Sequence, residues 1–196
     1  MRREWKKYWR LGSAAGVATA MLALGLAGAS AQQAASTQRH NELTLAGLRP
    51  GVSKVSLKQR FPGLGLALVN SQGYYWLDNC DGRMITIEAD KDRRISTITV
   101  SSLGVASADC LARNEARLRA GIKAGRGLQL ADACVRVTDL YGEPESRSPS
   151  IRGTHKLELL FYSFDWAGEE VPQSMEVSCD AASGRVVEIT LAASTL

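Results

Sequence analysis

Six runs rich in Val, Ile, Thr and aromatic residues mark this chain, three in each half. They are GYYWLD at 73–78, MITIEAD from 84 and RISTITVSS from 94, then KLELLFYSFDW at 156–166, MEVSCD from 175 and RVVEITLAAS from 185. Turns made of Asp, Lys, Gly and Ser separate them. Runs of this length and composition predict two antiparallel meanders of about three strands each.

Ahead of each meander the apolar spacing becomes helical. In LTLAGLRPGVSKVSLKQRFPG, Pro50-Gly51 makes a turn and Ser53 caps a short helix by accepting backbone N–H groups. Val55, Leu57 and Phe61 are its apolar residues, and Pro62-Gly63 ends it. GLQLADACVRVTDLYGEP, residues 127–144, repeats the phrase in role. There Asp132 is the expected cap, Val137 stands for Leu57, Tyr141 stands for Phe61, and Gly142 to Pro144 stop the helix.

The pattern therefore predicts an α+β fold of two tandem units, 44–104 and 127–196, each a short helix packed on a three-stranded or four-stranded antiparallel sheet. Between them SADCLARNEARLRAG predicts an amphipathic linker helix within 105–126, with Leu111, Glu115 and Leu118 along one side. The pattern does not determine whether the two sheets join. Leu48 to Ile98 spans 50 positions and Leu128 to Ile189 spans 61, so the second unit holds 11 more residues, assigned to the loops EPESRSPSIRGTH and DWAGEEVPQS. Insertions in connections are where surface function is added.

The amino-terminal end reads differently. MRREWKKYWR and the uncharged run after it form a secretory leader over residues 1–31, with the small triplet Ala29-Ser30-Ala31 before the expected cleavage site. A retained anchor is the competing expectation, because the run reaches the roughly 20 residues a span needs. Residues 32–43 lack apolar periodicity and predict a flexible arm. Removing the leader's five bases and one acid from 24 and 20 leaves 19 of each. A net charge of zero, with scattered Lys and Arg, argues against nucleic acid as a partner. Cleavage would also leave no integral membrane span.

Four cysteines in an exported chain predict two disulfides. If Met175 and Val177 face the helix, strand alternation sends Cys179 the same way. Cys134 shares the helix stripe of Val137 and Tyr141, so a Cys134–Cys179 bond would pin helix to sheet. In the chain-entropy model that bond is worth about 3 to 4 kcal/mol. Cys80 then pairs with Cys110. The competing arrangement joins Cys110 to Cys134 and Cys80 to Cys179. None of the four sits at metal-ligand spacing, and no metal or cofactor is expected.

Catalytic signatures are sparse. His155 near Ser148 or Ser150, and a pair of carboxylates at Asp78 and Asp165, are the two conceivable hydrolytic sets, but no strained nucleophile turn or oxyanion motif accompanies them. No glycine-rich phosphate loop is present either. Aromatics stand out instead: Tyr74, Tyr75 and Trp76 in one unit, Phe161, Tyr162, Phe164 and Trp166 in the other. Alternation sends neighbouring rings to opposite faces, and outward Tyr and Trp anchor protein partners. Tyr75, Tyr162 and Trp166, with the loop charges Arg147, Arg152, Glu169 and Glu170, form the candidate interface. A small ligand held in a groove between the two sheets is the alternative.

GLRPGVSKVSLKQRF, followed by its meander, resembles the small extracytoplasmic module of β-barrel-assembly lipoproteins, and its duplication is similar to the tandem architecture of the β-lactamase inhibitory protein family. The resemblance is at the level of fold over residues 44–194, and no lipidation cysteine is present. It implies an exported, non-catalytic protein that binds an extracytoplasmic protein through sheet faces and loops.

Overall fold

The computed structural model describes residues 39–51, 57, 61, 65–66, 73–78, 82–102, 122–168, 172 and 174–193. The expected leader, Ser53, Val55, Cys80, Cys110, Glu169, Glu170 and all but the last residues of the expected linker helix lie outside that set. So do the side chains of Leu77 and Asp78.

Among the described residues eight strands follow in chain order: β1 (Gly65–Leu66), β2 (Gly73–Asp78), β3 (Arg83–Ala89), β4 (Ile95–Ser101), β5 (Ser146–Arg152), β6 (His155–Ser163), β7 (Ser174–Asp180) and β8 (Arg185–Ala192). All pair antiparallel in one sheet of order β1-β2-β3-β4-β8-β7-β6-β5. This overturns the expected two tandem helix-on-sheet units joined by a linker helix. The last strands of the two meanders, β4 and β8, pair over Thr97–Ser101 and Glu188–Ala192. Two separate sheets would leave two rows of backbone groups unpaired at those edges, and pairing them satisfies both. The end of the expected linker helix is not helical: Lys123 and Ala124 form bridges to Gln129 and Leu45.

One sheet face carries the core. Cross-strand register runs Trp76, Ile85, Val100, Ile189, Val177, Leu160 in one row and Tyr74, Ile87, Ile98, Leu191, Met175, Tyr162 in the next. All but Tyr74 are buried.

Helix α1 (Val135–Tyr141) lies against this face with Val137 and Tyr141 buried. Seven residues cannot hold a helix alone. Cys134, its N-cap, is bonded to Cys179 of β7 with Cα atoms 6.1 Å apart, as parity requires. The competing pairing is thereby excluded. Asp132 does not cap α1; its carboxylate accepts from the Gln129 N–H at 3.1 Å and pairs with Arg136. Gly142, at φ +83°, ends the helix and donates to Thr138 O. In the first half, Phe61 N–H donates to Leu57 O at 2.9 Å, the helical spacing expected there. The Phe61 ring meets Trp76 at 6.4 Å, and the Tyr141 ring meets Tyr162 at 5.9 Å.

Residues 39–43 of the expected flexible arm are held in place. The Glu42 carboxylate is buried, accepting N–H groups of Leu43, Thr44 and Arg126 and the Tyr141 hydroxyl. Arg39 pairs with Glu145, and Arg126 donates to Asn41 O.

The segment EPESRSPSIRGTH, expected as an inserted loop, contains β5 instead. Most of its residues are exposed on both faces, so no apolar alternation marks it. Ala181 N–H donates to Lys156 O, which directs the backbone groups of Lys156, Glu158 and Leu160 toward β7 and those of Leu157 and Leu159 toward β5. Their partners Ser148 and Ser150 therefore point into the sheet, and the backbone groups of Arg147, Pro149 and Ile151 point away from it. Proline, having no N–H, is tolerated at such an outward edge position.

Candidate functional site

The second sheet face is built from the alternate residues of the same strands. Its central row reads Tyr75, Thr86, Thr99, Thr190, Glu176, Phe161 from β2 to β6. A flanking row reads Met84, Ser101, Glu188, Ser178, Leu159, Ser148 from β3 to β5. Where the core face is sealed, the central row keeps partial solvent contact at every position, with Phe161 exposed. Threonines suit the middle of this row because β-branching fits a pleated surface and the hydroxyls can pair across strands. Thr99 and Thr190 do so at 3.0 Å. Rings at both ends, with three threonine hydroxyls and the Glu176 carboxylate between them, give this row both polar and apolar contacts.

This face is curled at its β5 end. Arg152 and Glu188 form an ion pair, although three strand intervals and four residues along the strand separate their registers. In a flat sheet that is on the order of 20 Å. Strand side chains stand nearly perpendicular to the sheet. A direct contact thus requires the β5–β6 hairpin to bend over the face, and Leu157, which points to this side, is only 3% exposed.

The predicted interface residues do not form one patch. Tyr75 lies on the open face and Arg152 reaches across it. Tyr162 is not at the surface: its ring is in the core and its hydroxyl donates to Gly142 O at 3.1 Å. Burial pushes its pKa up to about 12, the Arg147 charge lowering it and the Glu143 charge raising it by less. Alternation sends Tyr162 inward because Phe161 takes the outward place, so the outward aromatic of β6 was misassigned by one residue. Arg147 stands at the edge, paired with Glu143 and Glu158.

Trp166 is 53% exposed in a short 3-10 turn, Asp165–Ala167, with its indole N–H donating to Ser163 O at 3.2 Å. It borders a shallow, open cleft with room for little more than one water molecule, lined also by Arg39, His40, Tyr141, Glu143, Glu145 and Tyr162. Small-ligand pockets run from about 300 Å³ upward, and both carboxylates here are already paired with arginines. Among the described residues the strands form one sheet, so the expected groove between two sheets is not formed there.

Of the two hydrolytic sets, the structure describes the histidine set and Asp165, while the Asp78 side chain lies outside the described residues. His155 sits at the exposed hairpin tip opposite Arg152 and makes no hydrogen bond with Ser148 or Ser150. Asp165 is exposed in the Trp166 turn. Among the described residues no three His, Cys, Asp or Glu side chains are grouped to hold a metal, and no helix is long and apolar enough to cross a membrane.

No protein-family model matches the chain, and no curated protein does. Among solved structures, a cysteine-rich secretory protein from Staphylococcus aureus aligns with a TM-score of 0.43 at 9% identity, over 79% of this chain and 48% of its own. The chain spans about half the length of that structure.

Proposed function

We propose that this is an exported, non-catalytic binding protein that meets an extracytoplasmic protein through the open face of its sheet. The observation that carries the proposal is the central row, from Tyr75 through the threonines to Phe161, which remains in contact with solvent while the opposite face is sealed. A sheet face with aromatic ends and a hydroxyl centre supplies area and hydrogen bonds without needing a deep pocket. Export is supported by the leader sequence and by the Cys134–Cys179 disulfide, a bond that persists in oxidising compartments. The resemblance to the β-lactamase inhibitory protein family and to the barrel-assembly lipoproteins points to the same class of activity.

Photo-cross-linking tests it. A benzophenone amino acid is placed at Phe161 or Thr99 on the open face, and at Val135, exposed on α1, as control. In cells that export the protein, the face positions are expected to capture one discrete partner that the Val135 position does not. Purified, that partner should bind the Phe161→Ala variant at least tenfold more weakly. Equal capture from Val135, or none from the face, refutes the proposal.

A further inference from the structure

Glu188 is an unusual residue for an open sheet face. It is 6% exposed, and its row neighbours Ser101 and Ser178 are buried as well. The Ser178 hydroxyl, 1% exposed, makes no hydrogen bond. Register sets Glu188 between Ser101 and Ser178 on the side that Leu157 shares, and this buried polar row, the notch, holds one carboxylate. A buried carboxylate is costly without a counter-charge. Arg152 supplies it, approaching from the side on the tip of a hairpin whose residues 151–156 are all exposed.

We propose that this notch is a receptor for a cationic side chain, that Arg152 fills it as an internal ligand, and that a guanidinium or ammonium group from the partner of the open face replaces Arg152 when the hairpin tip lifts. Three features support the exchange. Replacing one cation by another keeps Glu188 paired, whereas an anion drawn to Arg152 would leave Glu188 buried without a counter-charge. Arg152 lies on β5, which among the described strands pairs only with β6, so it can withdraw without opening the sheet interior. A guanidinium entering from above the face carries five donors, enough to reach both the carboxylate and the orphaned Ser178 oxygen. The identity of the incoming cation rests on the proposed protein-binding role; the notch itself does not.

Ethylguanidinium is the probe, read by amide NMR shifts and thermal melting. In an Arg152→Ala variant it is expected to shift the Ser101, Ser178 and Glu188 amides saturably and to raise the melting temperature lost with Arg152. Wild type should need at least tenfold more ligand because its own arginine competes, and Arg152→Ala/Glu188→Gln should show no saturable response. Arg152→Gln, which keeps the first three side-chain carbons and removes the charge, replaces the alanine variant if that does not fold. A folded Arg152 variant that ignores ethylguanidinium overturns the inference. A saturable response of wild type to acetate but not to ethylguanidinium also overturns it, by making Arg152 the receptor. Either failure leaves the cross-linking result standing, and a failed cross-link leaves the notch standing.

Discussion

Tyr141 of α1 donates its hydroxyl proton to Glu42 at 2.7 Å, joining residues 99 positions apart. The pair is buried, and the same carboxylate gathers three backbone N–H groups, so one acidic side chain fastens the amino-terminal arm to the helix and to the turn at Arg126. Burial, and after it the Glu42 charge, push the Tyr141 phenol pKa far up.

Removing that hydroxyl tests the fastening. Tyr141→Phe keeps the ring in the core but takes one donor from a buried carboxylate, and is expected to cost about 1 to 3 kcal/mol. Gly125→Ala attacks the same point from the other side, because its Cβ would lie 2.6 Å from Glu42 Oε1 and 2.8 Å from Thr44 Oγ1. Urea unfolding should show both variants less stable than wild type. Wild-type stability for both would mean that Glu42 does not anchor the arm.

The disulfide closes a separation of 45 residues, for which the chain-entropy model gives about 3 to 4 kcal/mol. Replacing Cys134 and Cys179 together by alanine should lower the melting temperature on the order of 10 °C. Because α1 is too short to persist alone, hydrogen exchange should rise first at Val137 to Tyr141. Uniform loss of protection across the sheet would contradict that order.

Alkaline pH gives a third test. A tyrosine in the unfolded chain ionises near pH 10, while Tyr162 in the fold is held neutral up to about 12. The unfolded chain therefore loses this proton first. Its stabilising effect is complete below pH 10 and declines as pH rises through about 12. Tyr162→Phe should lose less of its urea midpoint than wild type between those two pH values. Identical losses would remove Tyr162 as the cause.

Pro149 makes the fourth prediction. Its backbone faces away from β6 on the free edge of β5, where an ordinary residue would offer an N–H to another strand. Pro149→Thr should raise self-association in light scattering at unchanged melting temperature. A variant that stays as monodisperse as wild type would mean that Pro149 does not guard the edge.

Six of the eight strands follow from their own composition, from GYYWLD to RVVEITLAAS, because each buries one face and alternation then shows in the residues. SRSPSIR looks like a loop in the sequence for the converse reason: an edge strand exposed on both sides carries no apolar period. The same parity argument placed Cys134 against Cys179 correctly and placed Tyr162 on the wrong face, since a one-residue slip reverses every side chain of a strand. Trp166 was legible as an exposed aromatic, whereas Phe161 was named only within the aromatic cluster.

What this sequence determined by itself was local: strand and helix positions, the turn at Gly142, and the parity that brings Cys134 and Cys179 together. Tertiary structure alone decided that β4 pairs with β8 to make one sheet, that Glu42 receives Tyr141, and that Arg152 bends back to Glu188. Each joins residues far apart in the chain. Backbone pairing across two strand edges, and the cost of a buried carboxylate without donors, are settled only when the whole chain folds.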